Sequence, residues 1–170
     1  MLPKNFVVFK WAVYTIATLL LCALQSVALS HIRVLGLTPF LYPVLPAVVA
    51  MFEGSRAGAV FGLVFGFACG LLVPEPFPGF FTIIFPVAAI AAAWVSERLT
   101  SRGVLCAVTV SSLALLLTGG MRMLVQILLG GRYLGLMARI MLGEGLLTLP
   151  ALLAVLPLYG TVYRKCAADY

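Results

Sequence analysis

The chain has 170 residues, of which 64% are hydrophobic and only 9% charged, and a formal net charge of +6. An average soluble domain is about 25% charged, and one small core cannot hide so much apolar surface. A soluble globular domain is therefore excluded, and lipid is the solvent for most of the chain.

Six apolar segments follow one another along a single membrane domain over residues 1–170: 9–29, 37–52, 57–73, 80–95, 104–129 and 138–162. A spanning helix needs about 20 apolar residues, with a range of about 17–25. The first segment, Phe9–Leu29, has that length and exceeds the apolar core of about 7–15 residues in a cleaved signal peptide, so it reads as a retained span. The second, "TPFLYPVLPAVVAMF", carries Pro39, Pro43 and Pro46. Proline removes a backbone donor and turns the preceding residue away from helix. The expectation is an irregular lead-in and then a short helix from about Pro46. Irregular backbone survives at membrane depth only where protein or water covers it.

The third segment, "AGAVFGLVFGFACGLLVPEP", places Gly58, Gly62, Gly66 and Gly70 at intervals of four. That interval turns a helix by about 400°, so the glycines form a smooth groove along one face. Close backbone approach is a main source of packing energy between helices in lipid. The groove serves either another helix of the same chain or a partner's membrane helix. The third and fourth segments are marginal in length; the fifth and sixth are ample, with Pro150 and Pro157 predicting a kinked last helix. The fold class is all-α, a polytopic membrane protein of six transmembrane helices, with five plus a re-entrant segment as the alternative.

Basic residues orient this array. With the N-terminus in the cytoplasm, Lys4, Lys10, Arg56, Arg98, Arg102, Arg164 and Lys165 fall on the inner side, seven of the eleven Lys and Arg residues. That agrees with the positive-inside bias and places both termini in the cytoplasm. Such residues anchor the chain to acidic headgroups, and no nucleic-acid partner is implied.

Catalytic chemistry finds little to work with. His31 is the one histidine and reads as an interfacial loop residue. There is no His/Cys cluster at zinc spacing, no Gly-x-Ser-x-Gly elbow and no P-loop, so neither an enzyme nor a metal or other cofactor is expected. Cys22, Cys69 and Cys106 read as small apolar residues of the spans. Cys166, beside "YRK", is either an ordinary thiol or a palmitoyl acceptor.

The informative charges lie in the last hairpin, where Arg122 precedes and Glu144 follows the turn near Gly130–Leu136 by about eight residues each, roughly 12 Å of helix rise. The two are therefore level. An unpaired charge at that depth costs about 2.5–3.5 kcal/mol. Arg122 and Glu144 are expected to approach each other, or to share a wet cavity with Gln126.

The run "LYPVLPAVVAMFEGSRAGAVFGLVFGFACGLL", with its proline-punctuated short segment, Glu-Gly and Arg inner loop and spaced glycines, resembles the bacterial rod shape-determining MreD family. The last span and basic tail, "GEGLLTLPALLAVLPLYGTVYRK", are similar too. The family commonly has an aspartate four residues after a glycine of this run; here Pro74 stands at that position and Glu75 follows, in the outer turn. The resemblance implies a non-enzymatic subunit of the cell-wall elongation machinery in the bacterial cytoplasmic (inner) membrane. It would work with an MreC-like one-span protein, and indirectly with an MreB-like filament and peptidoglycan synthases. The family is similar in fold to the substrate-binding subunits of energy-coupling-factor vitamin transporters, so a substrate-capture transport subunit is the second reading. Short outer loops with few polar residues favour the scaffold.

Overall fold

The computed structural model describes residues 4–29, 38–98, 103–130 and 134–167, and among them all regular structure is helical. α1 (Lys4–Leu24) continues into one π-helical stretch, Gln25–Leu29; α2 (Val44–Glu53), α3 (Ser55–Leu72), α4 (Phe80–Arg98), α5 (Val104–Leu128) and α6 (Leu134–Ala167) follow. Among the described residues, five stretches are long and apolar enough to cross a membrane: Val8–Val27, Ser55–Leu72, Phe80–Arg98, Val104–Leu128 and Gly135–Leu153. The chain is a helical, multi-pass membrane protein.

The helix of the second segment is short. Its helix has ten residues, about 15 Å of rise, against a hydrocarbon core of about 30 Å. Residues 38–43 before it are not helical. The helix begins at Val44, just after Pro43, so Pro46 falls in its first turn, where a missing N–H costs nothing. The last helix, α6, carries Pro150 and Pro157 within its 34 residues; lipid-embedded helices tolerate proline when neighbours re-satisfy the freed backbone groups.

The short helix is the centre of the bundle. Every residue from Val44 to Phe52 is buried, and α3, α4, α5 and α6 all pack on it. A helix that is apolar all round belongs in such a core. α4, which packs on it, carries Ala88, Ala89, Ala92 and Ala93, all fully buried, and small residues let neighbouring backbones approach closely.

Gly54, at φ 88°, makes the tight turn between α2 and α3, a conformation that glycine reaches without steric cost. α3 then runs back along α2 and α4 with its glycines inward. A Cβ at Gly58 would overlap Ala50 of α2, and one at Gly62 would lie 3.0 Å from the Phe85 carbonyl oxygen of α4. A Cβ at Gly66 would overlap the Phe81 carbonyl, and one at Gly70 would come within 2.6 Å of the Glu75 carboxylate. The glycine groove is filled from within the chain. The opposite face of α3, with Val60, Leu63, Val64, Phe67 and Leu71, is exposed.

These contacts set the cost of a side chain on the glycine face. Gly66→Val meets backbone that cannot give way, so its unfolding free energy in mixed detergent should fall by about 1–3 kcal/mol. Gly120, mid-helix with nothing within 4 Å of its missing Cβ, should gain about 0.5–1 kcal/mol as alanine. Equal shifts in the two variants would contradict the packing.

Candidate functional site

The irregular lead-in is closed by side chains from distant helices. Gln25 Nε2 donates to the Pro39 carbonyl at 2.5 Å, and the Leu41 N–H donates to Gln25 Oε1 at 3.3 Å. The Phe40 N–H donates to Thr148 Oγ1 at 2.9 Å, and that hydroxyl donates to the Glu144 carbonyl at 2.5 Å. One glutamine at the end of α1 and one threonine on α6 thus replace the helical partners that the prolines removed. Neither residue was singled out from the sequence. The available signal was a polar side chain ending an apolar run, near a proline-rich segment whose amides need partners.

The lead-in so held presents Phe40 to α5. The Arg122 guanidinium lies 4.4 Å from the Phe40 ring centroid and 5.4 Å from that of Phe81. A cation over an aromatic face gains about 0.5–1 kcal/mol at exposed sites and about 2 or more when desolvated. Arg122 is therefore oriented by rings from two other elements.

Glu75 lies between the end of α3 and the start of α4. Its carboxylate accepts the N–H groups of Gly79 at 2.7 Å and Phe81 at 3.1 Å. Free amides at a helix start need acceptors, and a carboxylate there also meets the positive end of the helix dipole. Gly70 leaves the room the carboxylate occupies. Pro74, at the position where the resembled family has its acid, is exposed.

Arg122, Gln126 and Glu144 line one cavity of about 390 Å³ together with Pro74, Glu75, Pro76 and four apolar side chains. Arg122 and Glu144 share this space without a direct ion pair. Among the described residues, the pair within 4.0 Å is Lys10 with Glu53, at 2.5 Å. Glu53 also accepts from the Tyr14 hydroxyl at 2.9 Å, so it ties α1 to the end of α2. At mid-α1, Thr18 Oγ1 donates to the Tyr14 carbonyl at 2.8 Å. Its one proton is thereby used, so the Tyr159 hydroxyl donates to Thr18 at 2.7 Å, joining α1 to α6.

A second concavity opens between α1 and α3. α1 packs on α6 and barely meets α3; Trp11 stacks on Phe61 at 6.2 Å between centroids. Beyond that contact lies a groove of about 640 Å³, lined by Trp11, Thr15, Leu19, Val60, Phe61, Val64, Phe65 and Ala68, with Arg56 among its walls. It uses the side of α3 away from the glycines.

Cys69 and Cys106 are buried and Cys22 is half-buried. No group of three metal-ligating side chains occurs among the described residues. His31, Arg33, Arg102, Arg132 and Asp169 lie outside the described residues, as do the side chains of Lys4, Arg164, Lys165 and Cys166.

Gln25→Leu keeps the volume of the side chain and removes both of its hydrogen bonds. It leaves the Pro39 carbonyl and the Leu41 N–H without that partner, and stability in detergent should fall by about 1–3 kcal/mol. Loss of less than the cost of an exposed substitution, about 0.5 kcal/mol, would mean that the lead-in does not depend on Gln25.

No protein-family model matches the chain, and no curated protein or solved structure matches it either.

Proposed function

We propose that this protein is a non-enzymatic scaffold subunit of the bacterial cell-wall elongation machinery, as its resemblance to the MreD family implies. It holds the single membrane helix of an MreC-like partner in the α1–α3 groove and acts through that partner on the MreB-like filament and peptidoglycan synthases. The groove carries the reading. It is apolar, faces lipid, and has a floor of aromatic side chains held by stacking of Phe61 on Phe65 and Phe65 on Phe85. With no hydrophobic drive between helices in lipid, a preformed concavity gains packing for a single incoming helix.

The orientation is part of the proposal. Lys10, Arg56 and Arg98 stand at the end of the bundle where α2 finishes and α3 begins, opposite the Glu75 turn. The positive-inside bias makes this the cytoplasmic end of an inner-membrane protein with both termini inside. The second reading, a capture subunit of a vitamin transporter, draws support from the charged cavity at the other end. Mass spectrometry of the purified protein separates the two, because a stoichiometric bound vitamin would overturn the scaffold.

Val60 and Val64 are exposed on the groove wall, and Val64→Trp fills it. Co-purification of the MreC-like partner should fall about tenfold, a loss of about 1.4 kcal/mol, and cells relying on the variant should lose rod shape. Leu105→Trp, on an exposed face of α5 away from both cavities, should retain both. Unchanged recovery with Val64→Trp would remove the groove from the partner interface.

A further inference from the structure

We propose that the cavity of Arg122, Gln126 and Glu144 holds the headgroup of one ethanolamine phospholipid, with an acyl chain of the same molecule lying in the seam between α5 and α6. This stands independently of the scaffold reading, since it uses a different face.

The charges define the head. Arg122 is held by ring faces, and no carboxylate of a described residue lies within ion-pair distance of it. A guanidinium carries five N–H donors and stays charged; Glu144 attracts it across the cavity without reaching hydrogen-bond distance, so an anionic oxygen suits the space between them. Glu144 and Gln126 line the same space, and neither side chain hydrogen-bonds to a described residue. Glu144 calls for a cationic donor, whereas Glu75 is already engaged by Gly79 and Phe81. The complement is one molecule with a phosphate and a primary ammonium a few ångströms apart. A purely anionic head satisfies Arg122 and leaves Glu144 opposed. A quaternary ammonium offers Glu144 a charge without an N–H donor.

The seam defines the tail. A smaller cavity of about 190 Å³ runs along α5 and α6, lined by Leu115, Leu116, Leu146 and Leu149 among others. Met141 lines both cavities; it packs where Gly119 has no side chain, since a Cβ there would overlap its sulfur. The charged space thus leads directly into an apolar one. Leu116, Leu142 and Leu146 along it are exposed, and nothing lies within 4 Å of the missing Cβ of Gly145. A free zwitterion has no use for this continuation. At its other end the charged cavity reaches the turn of Pro74–Pro76, beyond the end of α3, the level at which headgroups lie.

The test is native mass spectrometry of the full chain. The protein is offered equal amounts of phosphatidylethanolamine, phosphatidylglycerol and phosphatidylcholine with identical acyl chains, and separately the soluble head glycerophosphoethanolamine. One phosphatidylethanolamine should be retained over the other two by about tenfold or more, about 1.4 kcal/mol. Glu144→Gln should abolish the preference over phosphatidylglycerol, and Arg122→Gln should lower retention of all three. Gly145→Leu, whose Cβ meets nothing within 4 Å and whose longer side chain enters the seam, should lower lipid retention while leaving binding of the soluble head unchanged. Gln126→Ala should weaken retention if either charge variant fails to fold. Equal retention of the three lipids, or variants with wild-type preference, would overturn the proposal. Binding of the soluble head as tight as that of the lipid would overturn it too, in favour of a small-molecule site.

Discussion

Everything in this fold follows from the requirement that backbone amides and carbonyls inside lipid find partners within the protein. The other helices meet it largely within themselves. The second segment, broken by Pro39 and Pro43, does not, and the bundle is built around that shortfall. α2 sits in the middle, where other helices shield it on all sides. Its non-helical lead-in takes hydrogen bonds from α1 through Gln25 and from α6 through Thr148. The π-helical stretch at the end of α1 begins at the residue that performs this task, consistent with the tendency of such turns to occur where a side chain is re-aimed.

The core leaves α3 with two unlike faces. Its glycines are committed to α2, α4 and Glu75, where any side chain would strike backbone or carboxylate. Its other face carries the valines and phenylalanines that border the groove with α1. A run of spaced glycines in a membrane helix invites the inference of a docking face for a partner. Here the glycines instead bring α3 so close to the core that the larger side chains on its far side become the available surface. Because α1 is fastened at Glu53 and at Tyr159 but stands off from α3, the space between them stays open.

Helix positions were legible because lipid imposes a simple rule of length and apolarity. The first, third, fourth and fifth helices start or end within a few residues of the expected limits, apart from α1, which begins five residues early. The short second helix and its irregular approach were visible in three prolines. The last segment was legible as one helix containing Pro150 and Pro157, though α6 starts four residues before and ends five residues after the expected limits. The level of Arg122 and Glu144 came from helix rise alone. Their surroundings did not: the rings that hold Arg122 come from positions 40 and 81. Gln25 and Thr148 act 14 and 108 residues away from the groups they serve.

The two concavities are not separate pieces of architecture. α1 is one wall of the groove and also carries Gln25, which holds Pro39 and Leu41. The next residue in that lead-in is Phe40, the ring beneath Arg122, and its amide is held by α6, a wall of the charged cavity. A displacement of α1 that broke the Gln25 bonds would strand two buried backbone groups at about 1–3 kcal/mol and release the ring that orients Arg122. The irregular segment that the bundle shelters therefore joins α1, α5 and α6 in one set of contacts, from Gln25 through Phe40 to Arg122 and Thr148.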